Sequence, residues 1–448
     1  MKASLSDLTQ QLLDAARQAG ADSADAMAVS GTSLSIDVLK GTLEQAERSE
    51  GVDIGLRVMI GHRQANVSAS DISADTIAEM AARAVAMARE APEDPTIGLA
   101  DPSQYATDWD IAALEIADDS PEPDPQALEE DARAAEAAAL AVDGVSQVQG
   151  TSAGYGRTDI HLAMSNGFSG GYGRTTRAIS LAAISGTGAE MERDFNGESR
   201  IFQADLPSAE EIGRIAGERA AARRGARQPH TGSYPVIFDE RVSASLIGHL
   251  LSAINGSSIV RGSSFLRDKM GEQVLPAALS LIEDPHRVRA TGSRPFDAEG
   301  LPTQDRALVE NGILNGWILD LATARKLGLE STGNAGRGTG APPSPGASNI
   351  RLTPGDKSRE ELMAEIGTGL LVTGLIGSTI NPNTGDYSRG AFGFWIENGE
   401  IAYPVNECTV AGNLLDMLMR ITPANDAELH KSRQVPSLLV EGMTLAGS

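Results

Sequence analysis

Aromatic side chains are scarce in this chain, at 4% of 448 residues, so any segment that gathers several rings stands out. Cysteine is nearly absent. Cys408 stands alone, which excludes an internal disulfide framework. No apolar run is long enough to span a bilayer as a helix. The six histidines are His62, His161, His230, His249, His286 and His430, and no two share the spacing of a helical metal site. Basic residues are in deficit, 37 Lys and Arg against 61 Asp and Glu, for a net charge of -24. Nucleic acids and anionic membranes are bound through Lys and Arg that displace counterions, so both are poor partners for this chain. The acid is concentrated between Asp101 and Asp143, where Arg133 is the only base; solubility through self-repulsion accounts for it.

A chain of this length exceeds one simple core and implies two or more domains. Its start, Met1 to Gly20, reads as an amphipathic helix with a stripe at Leu5, Leu8, Leu12 and Ala16. Asp7 and Asp14 interrupt it, unlike the apolar centre of a signal peptide. Composition as a whole predicts a soluble, cytoplasmic protein.

Alternation then predicts strands at 24–29, 33–39, 52–60 and 64–68, followed by a helix from Ala74 to Glu90 with Ser73 as N-cap. Residues 91–125 are rich in Pro and Asp and read as a surface excursion, before an alanine-rich helix from Pro125 to Val142. Strands follow around 145–155, 158–165 and 178–185. The run Ser73-Ala-Asp-Thr-Ile77 returns as Ser208-Ala-Glu-Glu-Ile212, each opening a helix after paired strands, which points to a duplicated strand-strand-helix unit. The boundary falls at Gln228 to Gly232, giving an N-terminal α+β domain (1–228, with the acidic excursion at about 91–143) and a β-rich C-terminal domain (229–448). There the pattern predicts a strand at 234–238, a helix at 241–255 and hairpins at Asn311-Gly312 and Asn398-Gly399. It also predicts a capped helix from Ser358 and a buried strand at 369–376.

Catalytic motifs weaken on inspection. A zinc-protease helix needs two histidines one turn apart to hold the metal and a glutamate between them to take a proton from its water. The 241–255 helix offers only His249, and the nearest glutamate, Glu240, precedes it. His249 reads first as a satisfied structural histidine, with a catalytic role as the alternative. Gly150-Thr-Ser152-Ala-Gly154 spells G-x-S-x-G, but a β-like segment follows it where a nucleophile elbow needs a helix. The glycines at 333, 336, 338 and 340 lack the Lys-Ser/Thr of a P-loop; they read as a flexible loop or the wall of a peptide channel. Asp386 with Arg389 reads as a turn-stabilising pair. Cys408 has no base beside it and reads as a small buried residue. These residues therefore nominate no catalytic, cofactor-binding or metal-ligating position.

The segment from Thr384 to Leu414, TGDYSRGAFGFWIENGEIAYPVNECTVAGNL, concentrates Phe392, Phe394 and Trp395. It resembles the C-terminal signature of the TldD/PmbA family, in particular the PmbA (TldE) branch. The segment from Tyr234 to Val274 and Ser331-Thr-Gly-Asn334 resemble it too, and the likeness extends over essentially the whole chain. The resemblance implies an α+β fold of mixed and antiparallel sheets with flanking helices, in two intertwined halves with internal duplication. It implies a subunit of a zinc metalloprotease system that cleaves peptide precursors and unfolded polypeptides. The TldD branch carries H-E-x-x-x-H and a further cysteine ligand; this chain matches neither, so zinc is expected in a TldD-type partner and not here. A dimer, preferentially a heterodimer with that partner, is expected, with the apolar run 370–376 and the aromatic segment 392–403 as interface material. A self-contained peptidase with an unrecognised site and a non-enzymatic regulator remain the alternatives.

Overall fold

Long strands with alternating burial build the first half. The computed structural model describes residues 4–448; the predicted helix start at Met1 lies outside them. Helix α1 (Leu5–Ala19) opens on a capping box between Ser4 and Asp7 and closes at Gly20 in the left-handed region, burying Leu8, Leu12 and Ala16. Strands β1 (Ser23–Leu39), β2 (Thr42–Ile60) and β3 (Arg63–Ala69) follow, then α2 (Ala74–Glu90), which Ser73 caps. The same order returns in α3 (Pro125–Leu140), β4 (Val145–Met164), β5 (Ser169–Ser185), β6 (Glu192–Arg200) and α4 (Ala209–Ala222), which Ser208 caps. The repeat is thus helix, three strands, helix, larger than the strand-strand-helix unit expected from sequence.

The two copies share one antiparallel sheet, ordered β3-β2-β1-β4-β5-β6, and meet at the β1–β4 pair. That pairing explains why the segments 24–29 and 33–39 are one strand. Gly31 falls opposite Gly51 on one side and Thr158 on the other, so hydrogen bonds carry the backbone through the apparent break. The segments 145–155 and 158–165 merge for the same reason. Each copy lays its helices on the sheet over an aliphatic core, Leu12, Ile54, Leu56 and Ile77 in the first and Ile36, Leu128, Ile179 and Ile212 in the second. Where α4 crosses α3, a Cβ on Gly213 would stand 2.0 Å from the Ala135 carbonyl oxygen, so only glycine permits the contact.

The acidic excursion is more than surface. Its carboxylates at Asp108 and Asp110 face solvent, but Tyr105, Leu114 and Ile116 are buried. Trp109 packs edge-on against Phe296 at 5.0 Å and Tyr105 lies 5.2 Å from Phe168. The few rings of the chain therefore fasten this segment over the seam between the halves.

The second half contains β7 (Gly232–Phe238), α5 (Glu240–Ala253), β8 (Gly369–Ile380), β9 (Asp386–Glu397), β10 (Glu400–Asn413), β11 (Ile421–Pro423) and β12 (Leu438–Ala446). Their sheet runs β10-β9-β8-β7-β12-β11, and a further β10–β12 pairing closes it into a ring. The Asn398-Gly399 turn forms as expected, with both residues at positive φ. The strands it joins are longer than expected. β10 continues through Cys408, past a bulge at which Asn406 and Glu407 oppose the single residue Phe392 and Glu407 takes φ 48°. The ring of Phe392 lies where a Cβ on Gly374 would be, 1.9 Å from its Cζ. The Asn311-Gly312 turn also forms, but its second strand is only Ile313–Leu314, in a smaller five-stranded sheet. Among the described residues no helix is long and apolar enough to cross a membrane.

Candidate functional site

Helix α5 is where a zinc-protease motif would lie. Asp239 caps it, accepting the Arg241 N–H, and Leu246 and Leu250 anchor it in the core of the closed sheet. His249 points from its small face toward β9, with its ring 6.0 Å from the Tyr387 ring in an edge-on arrangement. Three polar atoms here are buried with no hydrogen-bond partner among the described residues: Ser245 Oγ, His249 Nε2 and the Tyr387 hydroxyl. The expected satisfied histidine is therefore corrected, since its Nε2 is orphaned. Burial, helped by the nearby Arg389 charge, pushes the His249 imidazole below its ordinary pKa. Burial also pushes the Tyr387 hydroxyl up to about 12, although Arg389 pulls the other way.

These groups do not fit zinc. A protein zinc site takes three or four ligands from Cys, His and carboxylates. Here one imidazole faces two hydroxyls, and a guanidinium nearby repels a cation. Cys408 is elsewhere engaged: its Sγ donates to the Ala391 carbonyl at 3.2 Å, and burial pushes the thiol up to about 11, away from the thiolate a metal needs. Glu240 takes the first turn of α5, and its carboxylate pairs with Lys431 at 2.9 Å. Among the described residues no group of three or more His, Cys, Asp or Glu is placed to hold a metal. What the site can offer is an imidazole whose neutral form is favoured, beside two hydroxyls.

The remaining histidines are dispersed. His161 meets Thr9 Oγ1 at 2.9 Å, His286 meets Thr303 Oγ1 at 3.0 Å, and His430 lies between Glu198 and Glu428. Ser152 of the G-x-S-x-G run sits inside β4, paired on both sides, with no helix after it. Asp386 and Arg389 do not pair with each other: Asp386 accepts from Thr384 Oγ1 and Asn413, and Arg389 donates to the Gly377 carbonyl.

The second polar centre, at the junction of the halves, was not foreseen in the sequence. The glycine loop at 333–340 is no flexible loop. Its Arg337 side chain is wholly buried and pairs with Asp25 of β1, which also pairs with Arg57 of β2. Asn66 donates to the Thr339 carbonyl, and a Cβ on Gly55 would stand 2.2 Å from that oxygen. Close by, Asp297 and Glu299 are buried carboxyls. Burial raises both, and Asp297 helps push Glu299 up to about 8. The signal was there in outline, a lone Arg among glycines, but its partner lies 312 positions away.

The aromatic segment is also largely internal. Trp395 is buried against Tyr234, Arg223 lies 3.8 Å over the Phe392 ring and Arg227 3.5 Å over that of Tyr403. Leu370, Leu371 and Val372 are core residues. Within the segments expected to supply an interface, Leu370 to Val372 and Trp395 pack into the second half's own core and Phe392 and Tyr403 meet arginines of the first, while Ile376 and Ile401 are the exposed large apolar side chains.

With this geometry in view, residues 231–447 match the PmbA/TldA metallopeptidase C-terminal domain, residues 24–88 that family's domain 1 and residues 118–224 its central domain. The architecture is thus that of a metallopeptidase family. Metalloprotease PmbA of Escherichia coli is 37% identical over 95% of this chain and 92% of its own, and a PmbA homologue of Haemophilus influenzae is 35% identical over 100% and 98%. The chain belongs to the PmbA/TldD family. Among solved structures, a Bacteroides thetaiotaomicron protein described as a candidate modulator of DNA gyrase superposes with TM-score 0.91 at 29% identity, covering 98% of both chains. TldE from Thermococcus kodakarensis superposes with TM-score 0.85 at 23% identity over 98% of this chain and 100% of its own, a likeness of fold.

Proposed function

We propose that this chain is the non-catalytic, PmbA/TldE-type subunit of a TldD/PmbA protease, in which a TldD-type partner carries the zinc. The observation that carries the reading is α5. The helix keeps one half-buried imidazole but surrounds it with Ser245, Tyr387 and Arg389, a set that binds a divalent cation poorly. A chain of a metallopeptidase family without a metal cage contributes surface: it completes the chamber and helps to grip an extended peptide through backbone pairing, which tolerates varied sequence. Peptide precursors and unfolded polypeptides are the substrate class, and the cytoplasm is the expected compartment.

The test is purification followed by reconstitution. The isolated chain is expected to hold no stoichiometric zinc and to leave an unfolded peptide uncut. Mixed with a TldD-type chain it should co-elute as a heterodimer that cleaves. One tightly held zinc per chain, or full cleavage by either chain alone, would overturn the assignment.

A further inference from the structure

Beside the buried Asp25–Arg337 pair, a cavity of about 250 Å³ opens between the halves. Its walls are unlike. Ile160, Leu162 and Tyr172 of the N-terminal sheet and Phe296 of the second half give it an apolar, aromatic side. Arg174, Arg294 and Arg337 give it three guanidiniums.

Two of those guanidiniums make no ion pair, although Arg294 lies near enough to Asp297 to draw its carboxyl pKa down against burial. Arg174 donates to the carbonyls of Thr291 and Ser293, and Arg294 to those of Ala335 and Gly346, both at 3.0 Å. Among the described residues the hydrogen-bond partners of both are carbonyls, in a chain with 61 acidic residues. The Nε groups of Arg294 and of the wholly buried Arg337 have no partner. Asp297 also lines the cavity, but its oxygens accept the N–H groups of Glu299, Leu301 and Ala335. Carbonyls orient a guanidinium without neutralising it, so Arg174 keeps unspent positive charge next to the rings, while Arg294 faces only the buried Asp297 carboxyl, which burial pushes toward its neutral form.

We infer that this cavity binds a carboxylate carried on an apolar or aromatic body, namely the C-terminal residue of a peptide. The inference rests on the reading of the chain as a peptide-handling subunit. Guanidinium forks match a carboxylate's two oxygens, and the opposite wall takes the side chain. Its volume lies below the range of drug-sized pockets, roughly 300–1,000 Å³, and suits about one residue. Inorganic phosphate would satisfy the arginines and leave the apolar wall without a partner.

The experiment is calorimetric titration of the full chain with N-acetyl-Ala-Phe as the free acid, with its C-terminal amide, and with inorganic phosphate. The free acid should bind saturably, the amide at least about tenfold more weakly, as loss of a charge-assisted hydrogen bond implies. Phosphate should bind no better than the amide. Arg294→Gln should bring the affinity for the acid down to that for the amide. If Arg294→Gln fails to fold, Arg174→Gln makes the same test from the other wall. Equal binding of acid and amide, tighter binding of phosphate, or no saturable binding of the acid would overturn the inference. Cleavage in the reconstituted complex reports separately. A chain that supports cleavage yet ignores the acid loses this site and keeps its subunit role, whereas one that binds the acid but supports no cleavage keeps the site and loses that role.

Discussion

Glu299 should make the protein less stable as the solution turns from mildly acidic to mildly alkaline. The residue is 3% exposed, and its Oε2 accepts the Leu321 N–H at 2.8 Å. Burial pushes the carboxyl up, Asp297 and Asp320 push the same way, Arg57 opposes them, and the group titrates at about 8 instead of its ordinary 4.5. A raised carboxyl pKa means the folded state holds the proton more tightly than the unfolded state. Its contribution is therefore complete below pH 4.5 and is lost as pH rises through 8. At about 1.4 kcal/mol per pH unit, roughly 3 kcal/mol is lost by pH 7. Glu299→Gln cannot ionise and keeps a carbonyl to accept the Leu321 N–H. Its new amide donors add a cost of about 1–3 kcal/mol that does not vary with pH, so the slope is the diagnostic. Urea denaturation of both proteins across about pH 5 to 8 should show the variant gaining on the parent by about 1.4 kcal/mol per unit. Parallel profiles would refute the reasoning, because they would mean that Glu299 is already ionised in the folded protein.

Asp25→Ala leaves Arg57 and Arg337 buried without their carboxylate, and should cost about 3–5 kcal/mol in denaturant melts; a loss under about 1 kcal/mol would show the pair to be hydrated. Burial alone would raise the Asp25 carboxyl, but the two guanidiniums hold it below its ordinary value, so its contribution is present at neutral pH and fades on acidification below about pH 4. Gly374→Ala should destabilise by about 1–3 kcal/mol through the Phe392 ring, and in the Phe392→Ala background the same change should cost much less; additive costs would show that the ring moves aside. His249→Ala should leave cleavage by the reconstituted complex within about twofold of the parent. A thousandfold fall with unchanged melting, roughly 4 kcal/mol of transition-state stabilisation, would make His249 a catalytic residue.

Local signals in the sequence carried the local structure. Ser73, Ser208 and Ser358 cap helices where the pattern placed them, and the two Asn-Gly turns formed. Strand lengths were misread at Gly31 and around residues 156–157, because a small residue looks like a break until a partner strand on each side supplies its hydrogen bonds. That α5 carries a single histidine, with no second ligand at helical spacing, was legible because ligand spacing on a helix is a local property. The orphaned state of His249 was not, since it depends on Tyr387 and Arg389 from a strand well over a hundred residues later. The junction charges were hidden for the same reason. Asp25, Arg57, Glu299 and Arg337 are unremarkable singly, and only the docking of the halves gathers them.

The closed sheet of the second half also sets a timetable for synthesis. Strand β7 is made first, yet its neighbours are β8 and β12, and β12 alone completes the ring by reaching back to β10. Some 200 residues separate Phe238 from Leu438, about 10–40 s of elongation at roughly 5–20 residues per second. Through that interval β7 has a bare edge on the nascent chain. The cell must shield that edge or tolerate the wait, and a ribosome stalled before Leu438 would release a chain whose second sheet is still open.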